Sequence, residues 1–297
     1  MKASAILVAL TFLLGGVNSG QGKKRLPPVF LNHFYIVLDS ATYEEIEQSP
    51  FLRREFAATE RRTTVRKDMS YTGLYVYGAN TYFEFFDVSD SPSPRVGDSG
   101  IAFGVDQAGG LQAVGREQAA KISVGREPVT RQYEGIQVPW FYAGGLKDSP
   151  PDSRLSVWLM EYYPRFLAEW NPRPDGQNGG VSRKQILRRY AAVLKDTPAR
   201  PYFVDVVALT VAVDEPAQKS LVELCKLLGY SERAVGGTTV LEGPGVELRL
   251  IPQAGGARGI REILMRVRGR PRGQAEFRFG PKSVLRFEGN GLVTWSF

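Results

Sequence analysis

The 297-residue chain has one cysteine, Cys225, and one histidine, His33. A single thiol excludes an internal disulfide, so the fold must rest on its core. There is no thiolate cluster, no histidine pair at helical spacing and no glycine-rich phosphate loop, which excludes zinc-finger, zincin and P-loop chemistry. Beyond residue 20 no apolar run approaches the roughly 20 residues of a membrane-spanning helix. The string Gly97-Asp98-Ser99-Gly100 resembles a serine-protease nucleophile, but that chemistry needs a histidine base and a buried aspartate beside it, and His33 lies on a strand of another kind. Cys225 with Leu221, Leu224 and Leu228 follows helical spacing and reads as a small core residue, not a nucleophile.

What is present begins with Lys2, the apolar stretch Ala3 to Leu14 and small residues up to Gly20, the pattern of a secretory signal peptide cleaved after Ser19 or Gly20. The expectation is an exported protein, periplasmic or extracellular, with no transmembrane or lipid anchor. The formal charge is +7 and stays mildly positive without Lys2, a bias too small to point to nucleic acid. Hydrophobic residues make up 43% of the chain, enough for a globular core, and the length suits two domains.

Period-two alternation makes residues 31–39 a strand, with Phe34, Ile36 and Leu38 on one face and His33, Tyr35 and Val37 on the other. Thr42 and Glu45 form a capping box for a following helix, which restarts at Ser49-Pro50. Residues 61–68, 73–78 and 81–89 are strands, with Gly78-Ala79-Asn80 as a hairpin turn. The order βαβββ recurs over 100–106, 109–120, 121–130, 136–142 and 154–164. A third copy spans strand 203–214, helix 215–229 and the hairpin of 238–243 with 246–252. Strands 261–268, 275–280, 283–289 and 292–297 read as a fourth copy without its helix.

The fold class is therefore α+β, with repeated βαβββ modules paired into two curved mixed-sheet domains. The expected boundaries are 1–20 signal peptide, 21–30 tail, 31–170 N-terminal paired-module domain, 171–181 linker, and 182–297 C-terminal helix plus degenerate paired-module domain. The linker is marked by NPRPDGQNGG (171–180), and the helix after it by a Ser182–Gln185 capping box.

These paired units, with NHFYIVLD opening the first strand, YFEFF closing the fourth and VALTVAVDEPAQKSLVELCKLLGY in the third copy, resemble the vicinal oxygen chelate superfamily of glyoxalases, extradiol dioxygenases and antibiotic-sequestering proteins. The resemblance implies a sheet wrapped around a cavity, with metal ligands on the first and last strand of each module. Carried over by residue, those positions fall on His33 and Glu84 in the first module. In the second they fall on Glu161 and on Gly100, which cannot ligate. In the third copy they fall on Ala208 and Arg249, which cannot hold a divalent cation.

By alternation His33 faces a concave surface, while Glu84 and Glu161 sit among apolar neighbours and need a partner. The resemblance implies one divalent metal, Zn, Ni, Mn or Fe, on His33, Glu84 and Glu161. Without it, the three serve a pocket or bond one another. Tyr35, Tyr75, Tyr77, Tyr82, Trp140, Tyr142, Trp158 and Tyr163 are candidate pocket walls, or ordinary strand core.

The leading expectation is a small-molecule-binding protein with an aromatic pocket around His33. The alternative is a glyoxalase-type metal-dependent lyase, isomerase or dioxygenase using the three candidate residues. A third reading has Arg258, Arg261, Arg266, Arg268, Arg270, Arg272, Arg278 and Arg286 meet an acidic envelope polymer, against the plainer one that they solvate a sheet face.

Overall fold

The computed structural model describes residues 26–149, 154–170, 181–194 and 197–297. The expected leader and the NPRPDGQNGG linker lie outside the described residues. The first unit comprises β1 (Val29–Leu38), α1 (Ser40–Gln48), β2 (Ala58–Val65), β3 (Ser70–Tyr77) and β4 (Tyr82–Asp87). The second comprises β5 (Ser99–Val105), α2 (Gly110–Glu117), β6 (Ile122–Val124), β7 (Val129–Tyr133), β8 (Ile136–Leu146) and β9 (Leu155–Tyr162). Two connecting helices follow, α3 (Phe166–Glu169) and α4 (Arg183–Val193). The third unit comprises β10 (Phe203–Val213), α5 (Glu215–Leu227), β11 (Ser231–Val235), β12 (Thr238–Gly243) and β13 (Val246–Pro252). The fourth has strands alone, β14 (Gly259–Val267), β15 (Glu276–Phe279), β16 (Ser283–Gly289) and β17 (Leu292–Ser296).

The units form two mixed sheets with one plan. The N-terminal order is β2-β3-β4-β1-β5-β9-β8-β6 with β7 also on β8, and the C-terminal order is β11-β12-β13-β10-β14-β17-β16-β15. In the first three units the first strand runs parallel to the last, in the helix-less fourth β14 runs antiparallel to β17, and units join through antiparallel first strands, β1 on β5 and β10 on β14. This is the paired-module architecture expected from the sequence.

Three local details differ. Asp39, not Thr42, caps α1, because its carboxylate accepts the Thr42 N–H at 3.0 Å and the Thr42 hydroxyl at 2.8 Å. The strand expected over 121–130 is two, β6 and β7, with Gly125 to Pro128 between them. Strand β11 and the single turn α3 had no periodic apolar pattern to announce them; every residue of β11 is exposed.

The two sheets share one core. Phe34, Phe83 and Phe85 of the N-terminal sheet and Leu209, Leu248, Ile263 and Trp295 of the C-terminal sheet belong to a single buried cluster, with Ile46 of α1, Val114 of α2 and Leu224 and Cys225 of α5. Trp295 sits edge-on to Phe85 at 5.0 Å and to Phe83 at 6.0 Å, and Phe203 stacks on Phe56 at 5.7 Å. Each such ring contributes about 1.5–3 kcal/mol by leaving water.

The opposite face of the N-terminal sheet is covered by the connecting helices. Phe166, Leu167 and Trp170 of the α3 turn and Ile186, Leu187 and Tyr190 of α4 form a second buried cluster with Tyr75, Tyr77, Tyr82, Ala102, Met160 and Tyr162 of the sheet. Ser182 and Gln185 make the capping box that starts α4. Arg183 fixes that end to the sheet through Asp106 and, at 2.8 Å, the Leu31 carbonyl.

Candidate functional site

His33 and Glu84 meet on the face covered by α3 and α4. In the strand registers His33 lies opposite Tyr82 on β4 and Ala102 on β5, and Glu84 opposite Tyr35 on β1 and Tyr75 on β3. Directly paired residues share a sheet face, so all of these project to one side. The imidazole stacks on Tyr82 at 4.6 Å and meets the edge of Trp158 at 5.3 Å. His33 is 7% exposed and Glu84 6%.

The β1–β5 register shifts at Asn32, and this bulge lets two successive side chains meet. His33 Nδ1 lies 2.9 Å from Asn32 Oδ1, which also accepts from the Tyr162 hydroxyl at 3.5 Å. An amide oxygen only accepts, so Nδ1 carries the hydrogen and Nε2 directs its lone pair toward Glu84 Oε1, 3.8 Å away. Burial pushes His33 down to about 3, so the ring is neutral and the approach is not an ion pair. Burial pushes Glu84 up to about 7, against the opposing pull of Arg62 and of the Tyr75 and Tyr82 hydroxyls. The result is a carboxyl group that changes protonation near neutrality beside a neutral base.

Glu161 does not join them. It pairs in register with Tyr142, one residue out of step with Trp158, Met160 and Tyr162 on the covered face, and so projects to the other side of the sheet. There its carboxylate accepts the Gly109 N–H at 2.7 Å and the Leu111 N–H at 2.8 Å. It thus supplies the cap that Gly109, with φ +76° and no side chain, cannot give α2. Tyr142 lies on that other side too, at the margin of the core between the sheets. Tyr75, Tyr77, Tyr82 and Trp140 are buried on the His33 side, Tyr35 lies there beside Trp158, and Tyr163 packs at the margin of that cluster. Tyr75, Tyr77, Tyr82 and Trp140 pack in one layer with the buried side chains of α3 and α4.

The register also corrects the second-module counterpart of Glu84. His33 faces Tyr82 and Glu84 is two residues on, just as Gly100 faces Ser156 and Trp158 is two residues on. The four positions that the resemblance assigns to a metal are thus His33, Glu84, Gly100 and Trp158. A Cβ on Gly100 would lie 2.1 Å from Tyr35 and 2.8 Å from Trp158, so rings fill the space where the second pair of ligands would stand. Among the described residues no three of His, Cys, Asp and Glu are placed to hold a metal ion together. The residues present therefore do not fit the implied metal centre.

The C-terminal arginines that the sequence singled out are partly neutralised within their own sheet. Arg278 and Arg286 both bind Glu276, at 2.6 and 2.7 Å, and Arg261 donates to the Phe297 carbonyl.

Two sheets of paired βαβββ modules, with a polar pair at the centre of the covered face, define a protein of vicinal oxygen chelate-like architecture. The chain belongs to the family of unknown function DUF5829, whose model matches residues 31–297. No curated protein matches its sequence. It is similar to a hypothetical protein from Staphylococcus aureus, at 10% identity and a TM-score of 0.53, over 89% of this chain and 97% of that one. A 2,2',3-trihydroxybiphenyl 1,2-dioxygenase from Sphingomonas wittichii matches at 12% identity and a TM-score of 0.43, over 90% of this chain and 89% of that one. A xylose isomerase-like TIM barrel/4-hydroxyphenylpyruvate dioxygenase fusion protein matches at 13% identity and a TM-score of 0.43, over 79% of this chain and 36% of that one.

Proposed function

We propose that this protein acts on a small molecule at the His33–Glu84 pair, as an acid–base enzyme in which Glu84 gives and takes a proton. The observation that carries this reading is a buried carboxyl group, Glu84, 3.8 Å from the buried imidazole of His33, where burial raises the pKa of the one and lowers that of the other, on the face where paired-module proteins place their sites. His33 Nε2 is positioned as an acceptor and Asn32 fixes its tautomer. No step is routed through a metal, since Gly100 and Trp158 occupy two of its four positions. Among the described residues α3 and α4 pack over the aromatic layer on this face, which limits the water around the pair.

The test is isomerisation of an α-ketoaldehyde hemithioacetal, a redox-neutral proton shift, measured with the wild type, Glu84→Gln and Glu161→Gln. Activity in the wild type and Glu161→Gln, absent in Glu84→Gln, supports the reading; activity that survives Glu84→Gln contradicts it. A second reading, capture without turnover, is favoured by the same filling of Gly100 and Trp158. It predicts ligand-dependent thermal stabilisation with no product formed. We also propose export, supported by the apolar run from Ala3 to Leu14 after Lys2. With Glu276 holding Arg278 and Arg286, an acidic polymer partner has less support.

A further inference from the structure

A cavity of about 320 Å³ opens between β2, β7 and the end of α4, and two arginines line it, Arg62 and Arg131, with Glu60, Tyr133 and Trp170. Arg131 is 5% exposed. Its Nη1 donates to the Tyr190 hydroxyl at 3.0 Å, and its guanidinium lies 4.8 Å from the Trp170 ring, 5.0 Å from Phe166 and 5.2 Å from Trp140. Its Nε has no hydrogen-bond partner, and no acidic side chain among the described residues pairs with it. The Arg62 Nε is likewise unpaired. The one carboxylate lining the cavity, Glu60, is already engaged by Arg62 Nη1 at 3.0 Å and by the Tyr77 hydroxyl at 2.7 Å. Among the described residues, two guanidinia face one committed carboxylate, and a buried positive charge of this kind costs several kcal/mol unless an anion meets it.

We propose that this cavity is a binding site for a small, flat organic carboxylate. Arg131 and Arg62 supply charged N–H donors in the planar form that suits a carboxylate. Trp170 and Tyr133 supply ring surface for the body of the ligand, and the volume suits a molecule of about one ring. The site is separate from the His33–Glu84 pair and does not depend on the reading given to it.

The experiment is thermal unfolding of the full chain with benzoate, acetate or inorganic phosphate at matched ionic strength, in the wild type and Arg131→Met. Methionine fills an aromatic cage well and removes the buried cation, so the unliganded variant is expected to be at least as stable as the wild type. Benzoate is expected to stabilise the wild type saturably, acetate less so, and to bind Arg131→Met about tenfold or more weakly. In nitrogen-15 NMR of the wild type, benzoate should shift the Arg131 Nε resonance, a readout that holds even if the variant fails to fold. Phosphate stabilising as well as benzoate, benzoate binding undiminished in Arg131→Met, or an Arg131 Nε resonance that benzoate leaves unmoved would each overturn the proposal.

Discussion

Glu84 keeps its proton near neutrality because the rings around His33 leave a carboxylate almost no water. Between the ordinary 4.5 and about 7 the folded chain holds the Glu84 proton while the unfolded chain has lost it, so the Glu84 contribution to stability disappears as pH rises through about 7. His33 acts oppositely: below 6.5 the unfolded ring gains a proton that the folded one refuses until about 3, so its contribution disappears as pH falls through that window. Glu84→Gln should therefore be more stable than the wild type above neutrality, by on the order of 2–3 kcal/mol at about pH 8.5, and no more stable at about pH 4.5, as urea unfolding would report. A cation seated between His33 and Glu84 would reverse that sign. Glu161 belongs to a different problem. Glu161→Gln should cost about 1–3 kcal/mol by weakening the cap of α2, without moving the Glu84 titration.

Elements set which side chains can meet. Gly100 exists in β5 because Tyr35 and Trp158 cross above it, and Gly100→Ala should destabilise by about 1–3 kcal/mol through overpacking, measurable as a lower unfolding midpoint. Most elements were legible in the sequence because alternation and spacing are local: β1, β3, β4, β10, α4 and α5 all follow apolar patterns. The pairing of His33 with Glu84 was legible too, since each lies on the face opposite the Phe34 and Phe85 sides of its strand. Glu161 was misplaced because the resemblance set it at the last-strand position, whereas alternation puts it with Leu155, Val157 and Leu159 on the core side, and the register gives that position to Trp158. The cap at Asp39 was missed because Thr42 and Glu45 imitate a capping box three residues later. The cover over the His33 face was also hidden. The apolar face of α4 was visible, but nothing in its sequence says which sheet it packs on.

At the scale of the molecule, one cluster of buried side chains spans both sheets, so the halves should unfold together in a single calorimetric transition. Trp295→Ala should cost about 3–5 kcal/mol and lower the one transition without splitting it. The second cluster clamps α4 over the aromatic layer, and this burial is what keeps His33 neutral and Glu84 protonated. The most direct measurement is a carbon-13 NMR pH titration of the Glu84 carboxyl, assigned by its absence in Glu84→Gln. The account predicts an inflection near 7, with His33 still neutral well below its ordinary 6.5. An inflection near 4.5, or a His33 that titrates near 6.5, would contradict it.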